Sequence, residues 1–369
     1  MTKKKSIKSQ YYKDYLGLSK ILNSQNLISD EFDQHAHDEM LFIITHQVYE
    51  LWFKQIIYEL DSILEIFEVQ NIDESNIGTS ISRLNRIIEI QKILVDQIRV
   101  LETMTPMDFL DFRDFLVPAS GFQSVQFRKI ENKLGLLSEN RFSYGGENYK
   151  SYLSKTDSKE VANSESGNTL FVLIEKWLER TPFLNWGKTS FWKEYELAVK
   201  KMLSDDRAII ETNSKLSDNE KKKYLNEYKK TELSFGVVLN EKEHSKMVKN
   251  GSWRLSYKAT QAALLILLYR DQPILHNPYL LITKLADVDE LFTTWRYRHV
   301  LMVSRMIGKK IGTGGSAGST YLSQTAQKHR IFSDLSELTT FLIPRSALPE
   351  LPKEIKDELN FHFHVRKGR

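Results

Sequence analysis

Apolar residues recur at spacings of three and four over long stretches of this chain, and only 16 glycines and 8 prolines interrupt them. That pattern predicts an all-α helical bundle with no β-rich block. The clearest helix is expected over residues 38–67, where Leu41, Ile44, Val48, Leu51, Gln55, Ile56, Leu60 and Leu64 share one face. Acidic Asp38 and Glu39 in its first turn are favoured by the helix dipole. A second helix is predicted over residues 79–104 on the stripe Ile81, Leu84, Ile88, Leu94, Ile98 and Leu101. Thr105-Pro106 offers an N-cap and a proline at the first helical position, so a third helix starts there and carries Phe109 and Arg113 one turn apart. Val117-Pro118 stops it, and Ser120 can cap a fourth that runs to Leu134 and ends at Gly135. Residues 155–168 are polar and read as a loop. Residues 191–250 turn sharply charged, with Lys221-Lys222-Lys223 and Lys229-Lys230, and read as a solvated helical excursion from the main body. Apolar density returns at Trp253, and residues 287–307 predict another amphipathic helix, followed by a glycine-rich loop over residues 312–318. Residues 1–369 therefore read as one helical domain with the excursion inside it.

Composition narrows the chemistry more than the fold. With 41% hydrophobic and 27% charged residues in 369 positions, the chain has material for a large core and is not a disordered type. A net charge of +4 without a basic stripe points away from nucleic acid. The absence of cysteine excludes disulfides, thiolate nucleophiles, cysteine zinc sites, iron–sulfur clusters and thiolate-ligated haem. Any metal must rest on His, Asp, Glu, Tyr or Met. The basic start MTKKK has no apolar segment behind it, and the longest aliphatic run, residues 262–269, falls far short of the roughly 20 residues that span a bilayer. The expectation is a cytoplasmic protein without a membrane helix.

Two histidines stand out. Phe42, His46, Tyr49 and Phe53 are spaced by four, three and four, so the His46 imidazole sits in an aromatic strip. It is either a satisfied core histidine or a neutral hydrogen-bond partner facing an aromatic ligand. Trp295-Arg296-Tyr297-Arg298-His299, with Met302 and Met306, is either a core helix or, in a chain without cysteine, the source of a proximal ligand to haem iron. The glycine-rich loop is a flexible turn or an anion nest, and not a P-loop, because Lys309-Lys310 precede it. Arg113 is a surface charge or a two-pronged carboxylate clamp. The pairs His35/His37 and His362/His364 have no matching carboxylate at a metal-site spacing.

These pieces converge on one resemblance. HDEMLFIITHQVYELWFKQIIYELDS, TPMDFLDFRDFLVPASGFQSVQFRKIENKLG, WLERTPF, TTWRYRHVLMVSRMIG, GTGGSAG and FLIPR follow in order along nearly the whole chain, and together they resemble the tryptophan 2,3-dioxygenase family of cytoplasmic haem enzymes. The resemblance implies that His299 is the axial ligand of a b-type haem, one per subunit and ferrous when active, with Trp295 in the same wall. It implies that His46 hydrogen-bonds the indole N–H of bound L-tryptophan and that Phe42 packs on the indole. Ile43, Ile44 and Thr45 belong to the same implied substrate-contacting stretch. Arg113 would grip the substrate carboxylate, Phe109 would line the ring slot, and Thr313 would contact the ammonium and carboxylate end. Ser120 and Gly121 would line the haem and substrate edge. Tyr12 and Tyr15 resemble N-terminal tyrosines that reach into a neighbouring subunit, which implies a homotetramer. The implied reaction adds O2 across the C2–C3 bond of the indole to give N-formyl-L-kynurenine, the first step of tryptophan catabolism by the kynurenine route. Ala317 and Ser319 depart from the family's usual residues, while Thr313 and Tyr321 remain.

Overall fold

The computed structural model describes residues 9–136, 138, 141, 149–310, 312, 322–323, 326 and 328–360. Three one-turn helices, α1 (Tyr12–Tyr15), α2 (Leu18–Ile21) and α3 (Ile28–Glu31), lead into α4 (His37–Glu68) and α5 (Ser75–Leu101). These two long helices pack on each other, and α14 (Pro273–Ile307) packs along α5 to complete the central layer. Their seam holds Ile56, Leu60, Ile63, Leu84, Ile87, Leu285 and Val288, all essentially inaccessible to water. At roughly 25 cal/mol per Å² of apolar surface removed from water, such a seam is what holds the bundle.

The buried face of α4 differs from the expected one. Thr45, Tyr49, Phe53, Ile56, Leu60, Ile63 and Phe67 point inward, while Ile44 and Leu51 are exposed. Aromatic side chains bury more area than aliphatic ones, and the strip containing Tyr49 and Phe53 therefore decides which way the helix turns. Likewise α14 begins fourteen residues before the expected start at 287, with Pro273 at its first position. Leu275, Leu281, Ile282 and Leu285 are buried in that added stretch, which runs through Pro278 without ending there.

Local rules place the segments around the site. At α6 (Pro106–Arg113), the Thr105 side chain accepts from the Asp108 N–H, and the Asp108 carboxylate accepts from the Thr105 N–H at 2.9 Å. A 3-10 turn, Asp114–Leu116, follows. Ser120 caps a second 3-10 turn, Gly121–Gln123, and it is Ser124 that caps α7 (Val125–Leu134), so the single expected helix is two elements. Gly135 ends α7 at φ 116°, where a Cβ would lie 2.8 Å from the Phe171 Cβ; only glycine meets both demands.

Residues 155–168, expected as a loop, contain α8 (Lys155–Glu165). Ser154 caps it, and one buried residue, Val161, anchors it, with Asn132 Nδ2 donating to Ser164 Oγ at 2.7 Å. A cap and a single anchor leave no periodic stripe to read. Then come α9 (Leu170–Glu179) and a two-residue antiparallel ribbon, β1 (Asn185–Trp186) with β2 (Thr189–Ser190). The charged excursion is α10 (Phe191–Thr212), α11 (Asp218–Leu239) and α12 (Glu241–Lys249). It docks through Tyr195, whose hydroxyl donates to the Phe341 carbonyl at 2.5 Å, and through buried Phe235, Val238 and His244. The longest aliphatic run lies in α13 (Tyr257–Leu268), a helix buried in the core. Two short helices, α15 (Ser333–Glu337) and α16 (Lys353–Leu359), close the described chain. Among the described residues no helix is long and apolar enough to cross a membrane.

Candidate functional site

Between α4, α6, α7 and the C-terminal half of α14 lies a cavity of about 270 Å³. One water in the bulk liquid occupies roughly 30 Å³, so this is a ligand-sized space and not a packing defect. His46 and His299 both line it.

On α4, Phe42 and His46 are one turn apart with ring centroids 4.1 Å apart. Phe42 also meets Phe109 at 5.9 Å and Phe112 at 5.6 Å, which makes an apolar slot beside the imidazole. His46 Nδ1 lies 2.7 Å from the Phe42 carbonyl oxygen. A carbonyl can only accept, so the proton sits on Nδ1 and Nε2 of the neutral ring is left as an acceptor. Desolvation lowers the His46 pKa from its usual 6.5, against the opposing pull of that carbonyl and of Glu50. The ring is hemmed in by protein atoms yet keeps accessible surface, because it faces the cavity.

Across the cavity, His299 stacks on Trp295 with centroids 5.4 Å apart and planes 13° apart. Trp295 is itself wedged against Phe127 at 5.2 Å and Tyr49 at 6.1 Å. Desolvation, helped by the proximity of His46, pushes the His299 pKa down to about 4, so the ring is a neutral nitrogen donor at physiological pH. Among the described residues no side chain hydrogen-bonds this ring. A neutral imidazole on a helix, beside Met302, Val303 and Met306 in the cavity lining, fits a nitrogen donor that would hold a haem iron.

Arg113, in the last turn of α6, lines the same cavity with a side chain 17% exposed; its Nη1 is 3.3 Å from Asp114. Ser120 and Gly121 line it as well, and a Cβ added at Gly121 would meet no atom within 4 Å. Phe42, His46, Phe109, Arg113, Ser120, Gly121 and His299 are thus brought together. Ile43, Ile44 and Thr45 are not in the cavity wall: Ile44 is exposed, and Thr45 is buried with its carbonyl accepting from Gln97 at 3.2 Å. Tyr12 and Tyr15 are each 75% exposed and do not line the cavity. Thr313, Ala317, Ser319 and Tyr321 lie outside the described residues, although Gly312 lines the cavity. His35 pairs with Asp30 at 2.7 Å, His37 opens α4, and His362 and His364 lie outside the described residues.

Sequence reasoning missed Glu50, Arg128, Glu131, Arg296 and His329, all of which line the cavity. Glu50 accepts from Ser124 Oγ at 2.6 Å and Gln126 Nε2 at 2.8 Å. The signal available was spacing: Glu50 follows His46 by four and Glu131 follows Arg128 by three, each one helical turn.

The family model for tryptophan 2,3-dioxygenase matches residues 1–342. A protein of Bdellovibrio bacteriovorus named tryptophan 2,3-dioxygenase is 51% identical, over 96% of this chain and 98% of its own length. A Dictyostelium discoideum protein of the same name is 47% identical over 97% and 90%, and one of Xenopus tropicalis 46% over 93% and 85%. With likeness at this level along almost its full length, and with two neutral imidazoles facing one cavity, the chain belongs to the tryptophan 2,3-dioxygenase family.

Proposed function

We propose that this protein is a haem-dependent dioxygenase that inserts O2 across the C2–C3 bond of the L-tryptophan indole, giving N-formyl-L-kynurenine. The observation that carries the reading is the pair His46 and His299: both neutral, both facing the cavity, one with a free acceptor nitrogen and one with no competing partner among the described residues. His299 would hold the haem iron, with Trp295 stacked on its ring to fix the ring's plane. A haem held there would supply the binding and electron chemistry of O2.

The protein's own groups position the amino acid. Phe42 and Phe109 form the slot for the indole, and His46 Nε2 accepts the indole N–H. Arg113 binds the substrate carboxylate, with Thr313 at the same end and Ser120 and Gly121 along the edge. A clamp at one end and an acceptor at the other fix the ring's reactive edge, which is how orientation lowers a barrier. Because buried polar groups left unpaired are costly, the clamp also rejects indole and tryptamine, which have no carboxylate. This requirement speaks against a relative adapted to another indole oxidation.

The whole chain acts as one haem-dioxygenase domain in the cytoplasm, with one haem b per subunit, and catalyses the first step of tryptophan catabolism. Exposure of Tyr12 and Tyr15 supports a homotetramer in which the N-terminal segment reaches a neighbour's cavity. The test is an optical spectrum of the purified, reduced protein with and without L-tryptophan. A ferrous haem band that shifts on adding tryptophan supports the reading; folded protein that takes up no haem removes it.

A further inference from the structure

Where α7 meets α14, Glu131 gathers three arginines. Its carboxylate accepts from Arg128 Nη1 at 2.8 Å, from Arg296 Nη2 at 3.0 Å and from Arg141 Nη1. The four side chains are buried, with only 9%, 6%, 8% and 2% of Arg128, Arg296, Arg141 and Glu131 exposed. One carboxylate cannot neutralise three guanidinium groups. Among the described charged groups beside the cluster, Lys150 pairs with Glu165 and Arg330 with Asp289 at 3.3 Å. His329, 3.7 Å from Glu131, has its pKa lowered by burial and adds no charge near neutral pH. Within the cluster the three guanidinium groups therefore outnumber its one described carboxylate by two, and among the described residues Nε of Arg128 and of Arg141 has no hydrogen-bond partner.

Buried charge without a counter-charge is strongly unfavourable, and among the described residues Glu131 needs one arginine for balance, not three. Arg128, Glu131 and Arg296 line the cavity. Arg296 lies one turn before His299 on α14, and Phe127, next to Arg128, packs on the Trp295 that stacks on His299. The excess charge thus sits on the His299 side, on different elements from Arg113.

We propose that Arg128 and Arg296 form a second anion site in the cavity wall, distinct from Arg113, which receives the carboxylates of the haem porphyrin. This rests on the haem reading above. The shared chemistry is carboxylate recognition, which could serve the porphyrin or the amino acid, and the test separates the two.

The full chain is freed of haem and reloaded with haem or with its dimethyl ester, and the affinity of each is read from the haem absorbance band. A charge-assisted pair predicts that the wild type binds haem about tenfold or more tightly than the ester. Arg128→Met brings that ratio close to one and leaves tryptophan affinity unchanged, and Arg128→Lys restores much of the ratio. Because Arg141 and Arg296 still hold Glu131, the haem-free Arg128→Met protein melts no lower than wild type, whereas a purely structural ion pair would lower the melting temperature. Equal wild-type affinity for haem and ester overturns the proposal without any variant. So does an Arg128→Met protein that keeps the wild-type ratio, or one that loses tryptophan affinity instead. Failure of the wild type to bind either form strikes the haem reading itself.

Discussion

Replacing His46 by alanine tests the direction of one hydrogen bond. Its Nδ1 is committed to the Phe42 carbonyl at 2.7 Å, so only Nε2 can accept the indole N–H. Removing the acceptor leaves that N–H buried and unpaired beside Phe42 and Phe109, at a cost of about 1–3 kcal/mol, which is roughly 5- to 150-fold in kcat/KM. The assay compares tryptophan with its N1-methyl analogue, which has no N–H to donate. In the wild type tryptophan is strongly preferred; in His46→Ala the preference collapses, because the acceptor is gone and its volume can take the methyl group. A variant that keeps the wild-type ratio of the two substrates refutes the reasoning. The same nitrogen sets a pH limb. Desolvation holds the folded pKa of His46 below 6.5, so the acceptor is intact at neutral pH and is lost only as acidification takes the ring through that lowered value. kcat/KM for tryptophan should therefore stay level through neutral pH and fall only on acidification past the ordinary histidine range, and His46→Ala should lack that limb.

Arg113→Ala should raise KM for tryptophan at least about tenfold, the scale of one charge-assisted pair, with haem content unchanged; tryptamine, lacking the carboxylate, should then compete with tryptophan more evenly than in the wild type. His299→Ala should fold but lose axial coordination, and a reduced spectrum identical to wild type would remove His299 from the iron. Gly135→Ala should lower the melting temperature, because it meets both a positive φ and a 2.8 Å approach to Phe171, a combined penalty of at least about 1–3 kcal/mol. Four histidines, His46 and His299 at the cavity and the buried His244 and His329, have pKa values lowered by desolvation, so the unfolded chain binds more protons in mild acid. Stability of the haem-free protein should accordingly fall as pH drops from about 7 to about 5, as read by thermal melts.

Much of the site was legible because the chemistry lies on two long helices. Phe42, His46, Tyr49 and Phe53 on α4 and Trp295 to Met306 on α14 keep helical spacing, and spacing alone sets them on one face. The Thr105-Pro106 start of α6 was equally plain, since its capping box is local. What the pattern hid was of three kinds. Aliphatic residues misled over α4, where Ile44 and Leu51 face outward and the aromatic strip turns inward. Helix α8 has a cap and one buried valine, which no periodicity reveals. The arginine cluster joins Arg128, Glu131 and Arg141 to Arg296, more than 150 positions away, and only tertiary packing makes that pairing visible.

The central claim is that both oxygen atoms of O2 enter L-tryptophan at a haem held by His299. The most direct measurement is a turnover of the reduced protein with L-tryptophan under isotope-labelled O2, read by mass spectrometry of the product. N-formyl-L-kynurenine carrying label at both inserted oxygens is the expected result; a product with a single labelled oxygen, or a hydroxylated indole with its ring intact, would contradict it.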